Sequence, residues 1–357
     1  MSSSKTSTTM RAVAEKAGVS VATVSRVINT PDRVKAIKRE KVIEAIKSLD
    51  YVPNPIAKAL GSKKIRSLAI VVPTILNSFM AEVTRGIIEV LDESSFDALV
   101  FDSNESFERE QEFFEILPHK MIDGAIFIGG AGRDLDFSSL AERMPVALVA
   151  RSEMPENVNA FIGDELQGMK RLIIHLVDLG HREIGLIAGT FNSTDGTRRF
   201  GMFKEALREE GLTWKPENCV AGDWTLEGGW RSMKKLLNKP APPSAVVCAT
   251  DIMAHGALGA AYDEGYHVPG DVSIVGFDNA PGSGYLVPPL TTLKYPNYRL
   301  GKLAANAVLN RLEDRDFTFV HKQLPLELLL RESSGPVPST SGRIRETSKT
   351  QKEAKGE

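Results

Sequence analysis

From residue 67 onward, short unbroken apolar runs alternate with amphipathic stretches of helical period, and this alternation constrains the fold more than any other feature. The runs are residues 68–72, 98–101, 124–128, 146–150, 184–188, 245–248 and 272–277, each bounded by turn-forming residues. Helical patterns lie between most of them, over residues 79–91, 165–179, 198–210 and 253–264. A strand apolar on both sides must be covered on both sides, which requires a parallel sheet between layers of crossover helices. The runs are too many for one ordinary sheet of about six strands. Two similar α/β subdomains are therefore expected, with the chain crossing between them near Phe161 and Thr291.

Residues 1–66 differ in both charge and period. They hold 14 Lys and Arg against 5 Asp and Glu, whereas the rest of the chain holds 30 against 41. A basic head on an acidic body implies that one end meets a polyanion. The head also carries helical apolar patterning, so it reads as a folded nucleic-acid module rather than a solvated tail. Met10, Val13, Ala14 and Ala17 share one helical face behind Thr9 as N-cap. Gly18 then supplies a turn, Val19 an apolar plug and Ser20 the cap of a second helix. In that helix Val24, Val27 and Ile28 face inward, leaving Val21, Ala22, Ser25, Arg26 and Asn29 outward. A third helix over residues 36–49 is expected to bury Ile37, Val42, Ile43, Ala45, Ile46 and Leu49. Next, Asn54 suits an N-cap, Pro55 a first helical position and Gly61 a stop. A helix that short is unstable alone and is ordered only when something holds it.

Several chemistries are disfavoured. No apolar stretch approaches the roughly 20 residues that span a bilayer, and the first residues lack an apolar signal core, so a cytoplasmic location is expected. Cys219 and Cys248 are far apart without metal-ligand spacing and read as reduced, buried and inert. The six histidines show no ligand spacing, and His181 and Arg182, in a helix-to-strand turn, read as structural. Residues 129–132 do not form GxGxxG, residues 73–78 contain no glycine, and no phosphate-binding GxxxxGK[ST] loop is present. No cofactor, metal or enzymatic activity is expected.

Residues 9–29, TMRAVAEKAGVSVATVSRVIN, closely resemble the DNA-binding head of the lactose/galactose/purine repressor family. YVPN at 51–54 followed by AKAL at 57–60 resembles that family's hinge, and further matches occur at 179–184, 251–254 and 272–278. The resemblance covers nearly all of residues 9–331 in order. It implies an N-terminal all-α helix-turn-helix head plus an α/β periplasmic-binding-protein-like core of two doubly wound parallel-sheet subdomains. The expected boundaries are the head at 9–50, hinge and linker at 51–66 and the sensor at 67–332, between a Ser/Thr-rich start at 1–8 and a Ser/Pro/Thr/Lys-rich tail at 333–357 whose composition implies disorder. The implied function is a transcription regulator, a repressor, that binds a pseudopalindromic operator as a homodimer or tetramer under control of a small-molecule effector.

The residues of the head suit that role. Val21 and Ala22 are small enough for close approach to the major groove, and by resemblance they set operator specificity. Arg26 suits a bidentate contact to guanine, while Thr9, Ser20, Thr23, Ser25 and Asn29 suit phosphate contacts or capping. Asn54, Ala57 and Lys58 belong to the hinge contacts the resemblance implies. Leu60 matches the leucine that wedges into the minor groove, unless it packs against its dimer mate. The head departs from the family at Ala12, at the Ser- and Thr-free start of the third helix, and at Lys58, where Arg is commoner.

Open α/β sheets bind ligands beyond the carboxyl ends of their strands. Asp278 ends one apolar run and Thr250-Asp251 follows another, while Arg199 lies just after the loop 189–196. Arg199, Trp224 and Asp278 match effector-contacting positions by resemblance, and Phe79 matches the aromatic near the first strand. Asp251 suits ligand contact and helix capping equally. Met80, Ala150 and Ser193 depart from common effector contacts, so a sugar, sugar acid or sugar phosphate is expected rather than a purine. The alternatives are a periplasmic-type sugar-binding protein, which the basic head disfavours, a doubly wound enzyme, for which no nucleophile–base pair speaks, and, within regulation, control by a partner protein as the resemblance allows.

Overall fold

The computed structural model describes residues 9–51, 65–130, 135–151, 154–191, 194–313 and 318–337. Contacts divide the chain into two compact units, Met1–Ile65 and Arg66–Glu357. The expected hinge residues Asn54, Ala57, Lys58 and Leu60, and also Ser193, lie outside the described residues.

The smaller unit holds α1 (Met10–Ala17), α2 (Val21–Asn29) and α3 (Ala36–Ser48) around Val13, Ala14, Ala17, Val24, Val27, Val42, Ala45 and Tyr51. Gly18 ends α1 in the left-handed region at φ 63°, with its N–H directed to the carbonyls of Ala14 and Glu15. The expectation for α3 is partly overturned: Ile37 is 72% exposed and Ile43 is also exposed. The buried stripe follows Val42, Ala45, Ile46 and Leu49 at spacings of three and four. Ile37 and Ile43 sit roughly 140° and 100° around the helix from Val42, off that stripe. Lys35 precedes α3 without a side-chain cap bond, in keeping with the missing Ser and Thr.

The larger unit contains two six-stranded sheets. The first is built from β1 (Ser67–Val72), β2 (Asp97–Asp102), β3 (Gly124–Ile128), β4 (Val146–Val149), β5 (Asn159–Gly163) and β11 (His321–Leu324), in the order β11-β5-β4-β3-β1-β2, with every pair parallel. The second is built from β6 (Ile184–Ala188), β7 (Cys219–Ala221), β8 (Ala245–Cys248), β9 (Ser273–Asp278), β10 (Thr291–Lys294) and β12 (Glu327–Leu329), in the order β12-β10-β9-β8-β6-β7. There β12 pairs antiparallel with β10 and the other pairs are parallel. The helices are α4 (Ser78–Ser94), α5 (Phe107–Ile116), α6 (Phe137–Arg143), α7 (Glu165–Asp178), α8 (Thr194–Glu209), α9 (Leu226–Leu237), α10 (Asp251–Asp263) and α11 (Asn297–Glu313). The run at 98–101 is an edge strand with Leu99 and Val100 exposed, not a strand covered on both faces.

The chain passes between the sheets three times: after β5, after β10, and between β11 and β12. The first two crossings agree with the expectation near Phe161 and Thr291. The third escaped it because β11 and β12 are short edge strands with little apolar pattern. The three passages meet one another. Gly163 N donates to the hydroxyl of buried Tyr295 at 2.8 Å, and Leu326, at the third crossing, is buried beside them.

Residues 333–337, expected to open a disordered tail, are packed. Ser333 is fully buried and its hydroxyl donates to Ile274 O, while Val337 N donates to Leu179 O at 2.9 Å. His181 is buried among Ser244, Ser273 and Gly335 O, as a structural residue should be. Cys248 is buried, but Cys219 is only half-buried; both are free thiols that burial pushes above their ordinary range. Among the described residues, no helix is long and apolar enough to cross a membrane.

Candidate functional site

Two constellations stand out, one in each unit. In the smaller unit, Thr9 Oγ1 accepts from Ala12 N at 3.3 Å and Ser20 Oγ accepts from Thr23 N at 3.2 Å. Both residues therefore cap helices, as expected, and the Ser20 and Thr23 hydroxyls lie 2.9 Å apart. Val21, Ala22 and Arg26 are exposed along α2, whereas Thr23 and Ser25 are half-buried. Asn29 falls in the last turn of α2. A capped helix with two small side chains and an arginine on its open face has the shape and charge to enter the major groove. Ser20→Ala should cost the smaller unit about 1 kcal/mol through loss of the cap; thermal unfolding with and without the substitution measures it.

In the larger unit a cavity of about 350 Å³ lies beyond the carboxyl ends of both sheets' strands. Residues following β1, β3 and β4 line one side: Asn77, Phe79, Met80, Gly129 and Ala150. Thr190, Trp224 and Thr250, following β6, β7 and β8, line the other, together with Asp278 at the end of β9. Part of the backbone strain lies on its wall. Glu105, Ala150, Trp224 and Asp278 all have positive φ, a conformation that non-glycine residues hold only when their surroundings impose it. Gly189 makes room for Trp224: a Cβ there would lie 1.9 Å from the indole ring. Trp224 Nε1 donates to Thr190 Oγ1 at 3.3 Å.

Charged groups that are rarely buried form the cavity's floor. Arg198 grips Glu165 through both terminal nitrogens, at 2.6 and 3.2 Å, and reaches Asp195 at 2.9 Å. Arg199 donates to Ala249 O and lies over the Phe277 ring at 4.2 Å. Its Nη2 is 3.6 Å from Glu165 Oε1 and 3.6 Å from Asp278 Oδ1, close enough to attract but too far for hydrogen bonds. Among the described residues, no donor satisfies Asp278 Oδ1. Burial pushes the Asp278 carboxyl up to about 8, against the pull of Arg199. Burial acts to lower the pKa values of Arg198 and Arg199, but the carboxylates beside them outweigh it and hold both above the ordinary range. Arg199 Nη2 and Asp278 Oδ1 thus offer a donor and an acceptor side by side, suited to adjacent hydroxyls.

Phe79, Arg199, Trp224 and Asp278 all line this cavity. Asp251 does not. It is completely buried, and its two oxygens accept from Thr292 Oγ1, Ala280 N and Ser283 Oγ. Burial raises its pKa to about 6. The cap of α10 is Thr250, whose hydroxyl accepts from Met253 N, and Thr250 rather than its neighbour lines the cavity. Glu165, Asp195 and Arg198 were missed by sequence reasoning. Recognising residues 159–163 as a strand would have pointed to Glu165 through the same rule that found Asp278.

Residues 9–54 match the family described as bacterial regulatory proteins, lacI family, and residues 173–334 match a periplasmic binding protein-like domain. The HTH-type transcriptional repressor CytR of Escherichia coli (strain K12) is 32% identical over 338 residues, covering 94% of this chain and 98% of the relative. The Lac repressor dimer, solved bound to operator and the anti-inducer ONPF, matches with a TM-score of 0.84 at 28% identity, covering 92% of this chain and 99% of that one. A complex of the transcriptional regulator CelR with cellobiose matches with a TM-score of 0.69 at 28% identity, covering 92% and 100%.

Proposed function

Because the chain belongs to the lacI family of bacterial regulatory proteins, we propose that it is a transcriptional repressor that reads operator DNA with α2 and is switched by a small molecule in the cavity. The observation that carries this reading is the open face of α2, bearing Val21, Ala22 and Arg26, in a segment with a large surplus of positive charge. The family consists of transcription regulators, and the reading contains no catalytic step. Its work on operator DNA belongs in the cytoplasm.

The repressor acts as a homodimer on a pseudopalindromic operator, since paired heads demand paired half-sites. Exposed apolar side chains on the larger unit support pairing: Tyr285 is 94% and Val287 97% exposed, and Leu99 and Val100 lie on an open sheet edge. In this reading residues 9–50 are the head and residues 51–66 the hinge, whose Asn54, Ala57 and Lys58 meet the DNA and whose Leu60 enters the minor groove. The sensor is residues 67–332 together with the packed segment 333–337. A ligand that touches both sheets favours one arrangement of the two halves of the sensor, with the three crossings near Gly163, Tyr295 and Leu326 as the joints. Operator affinity follows that population. A compact polyol with an apolar face suits Trp224 and the Arg199–Asp278 pair.

Footprinting of genomic fragments, followed by binding to single-base operator variants, tests the reading. Arg26→Ala should lose about 1–3 kcal/mol of discrimination at one guanine in each half-site while leaving ligand binding untouched. An unchanged operator preference would show that another residue reads that base.

A further inference from the structure

Residues 333–337 form a strap across the base of the second sheet, at the opposite end of β9 from Asp278 and the cavity. Ser333 joins the starts of two strands. Its hydroxyl accepts from Thr291 N at 2.8 Å and donates to Ile274 O, and its carbonyl accepts from Ile274 N. Gly335 N donates to Ser273 Oγ at 3.1 Å. Two histidines also hold the strap. His175, half-buried in α7, meets Ser334 Oγ at 2.9 Å, and that hydroxyl lies 2.9 Å from Thr291 Oγ1. His181, completely buried before β6, places Nε2 3.0 Å from Gly335 O and Nδ1 2.9 Å from Ser244 Oγ. A carbonyl oxygen only accepts, so Nε2 carries the proton and Nδ1 of the neutral ring accepts from Ser244.

We propose that His175 and His181 form a proton-operated latch: neutral, they hold residues 333–337 in place, and protonated, they release this strap while both sheets stay folded. A second proton on His181 removes the acceptor that Ser244 uses and buries a charge among groups that cannot ionise. The charged groups nearby are turned elsewhere. Arg182 donates to Val177 O and His181 O, Glu183 is paired with Lys215, and Asp271 accepts from His267 N. At the start of the strap, Arg331 donates to Leu290 O and Asn279 Oδ1, and Glu332 is exposed. Burial holds both rings below the ordinary imidazole value. Asp178 opposes it at His175 and Gly335 O opposes it at His181, where the His175 charge adds to it. Opening the strap returns the rings to water, so the open form binds protons that the closed form refuses. The strap is therefore firm above about pH 6.5, the free imidazole value, and loosens as pH falls below it toward the depressed folded-state values. Its hold is mostly hydrogen bonding, with Pro336 and Val337 exposed, so it opens without unpacking the core.

The test is amide hydrogen exchange on the full-length protein, each rate divided by that of the unstructured sequence at the same pH. Protection of the Gly335 and Val337 amides should stay level from about pH 9 to about pH 7. Below about pH 6.5 it should fall by up to about tenfold per pH unit for each histidine that titrates. The amides of β3, in the other sheet, should keep their protection throughout. Protection at Gly335 and Val337 that stays level down to about pH 5 overturns the proposal. So does a fall that β3 shares, because that is acid unfolding of the whole unit. His181→Gln keeps a donor for Gly335 O but takes up no proton, so the fall should become shallower. His175→Gln removes the other titrating ring and serves in the same way should the first variant fail to fold. A shallower fall in either variant assigns the proton to that histidine. An unchanged slope in every variant that folds means that another group titrates, and the latch is then abandoned.

Discussion

Arg199→Leu is expected to destabilise the larger unit by about 3–5 kcal/mol, the usual cost of removing one partner from a buried charged pair, and to abolish the response to effector. The side chain is buried, and three separate supports depend on it. Its Nη1 satisfies Ala249 O at the end of β8, its face covers Phe277, and its charge sits between Glu165 and Asp278. Leucine fills some of the volume but leaves a buried carbonyl without a donor and removes the cation that the Glu165 carboxylate and the Asp278 carboxyl face. Lysine is a separate control: it keeps the charge but loses the planar fork. Arg199→Lys should therefore fold more stably than Arg199→Leu and still bind ligand poorly. Urea unfolding measures the first effect, and operator release by a bound ligand measures the second. A loss of stability below about 1 kcal/mol for Arg199→Leu would mean that the surrounding carboxylates are held by other means.

The division between what sequence could and could not foresee follows burial and charge. Central strands such as β1, β3 and β8 are buried throughout and, Ser67 apart, carry no polar side chain, so they stand out from any background. The outer strand β11, HKQL, buries only Leu324 and carries no readable period, which hid both the strand and the third crossing. The head was legible almost residue by residue, because caps and turns there use Thr9, Gly18 and Ser20 in their ordinary local roles. Its error, burying Ile37 and Ile43, came from treating every apolar residue of α3 as inward-facing. In the cavity, Asp278 and Arg199 were found because each follows a recognisable strand or loop. Glu165, Asp195 and Arg198 look in sequence like the charged face of an ordinary surface helix; only the fold shows Glu165 and Arg198 turned inward against each other. Asp251 and Thr250 show the limit of local pattern. Either residue can cap a helix, and a shift of one position decides which of them lines the cavity and which is locked into the body.

Asp278→Asn should remove a pH dependence that the wild-type protein carries. Asp278 is 15% exposed, and burial raises its carboxyl from an ordinary value near 4 to about 8, with Arg199 opposing and Asp251, Glu165 and Asp195 adding to the rise. A carboxyl with a raised folded-state pKa binds a proton that the unfolded chain releases. Its contribution to stability is therefore complete below about pH 4 and is lost as pH climbs toward about 8. Asp251, raised to about 6, gives a similar slope at the acidic end, so the two overlap below that point. Between about pH 6 and 8 the difference in unfolding free energy between wild type and Asp278→Asn should shift in favour of the variant by up to about 1.4 kcal/mol per pH unit, then level off above about pH 9. Asparagine keeps the volume and an oxygen acceptor but cannot ionise, so it isolates the proton. The same proton links folding to ligand. A hydroxyl that donates to Asp278 favours the carboxylate, so binding near neutral pH should release a proton and tighten as pH rises, in the wild type but not in the variant. Chemical denaturation across pH measures the first effect, and calorimetry in buffers of different ionisation heat measures the second. Parallel stability profiles for the two proteins would mean that Asp278 stays ionised in the folded state and that the Arg199 charge, rather than burial, governs it.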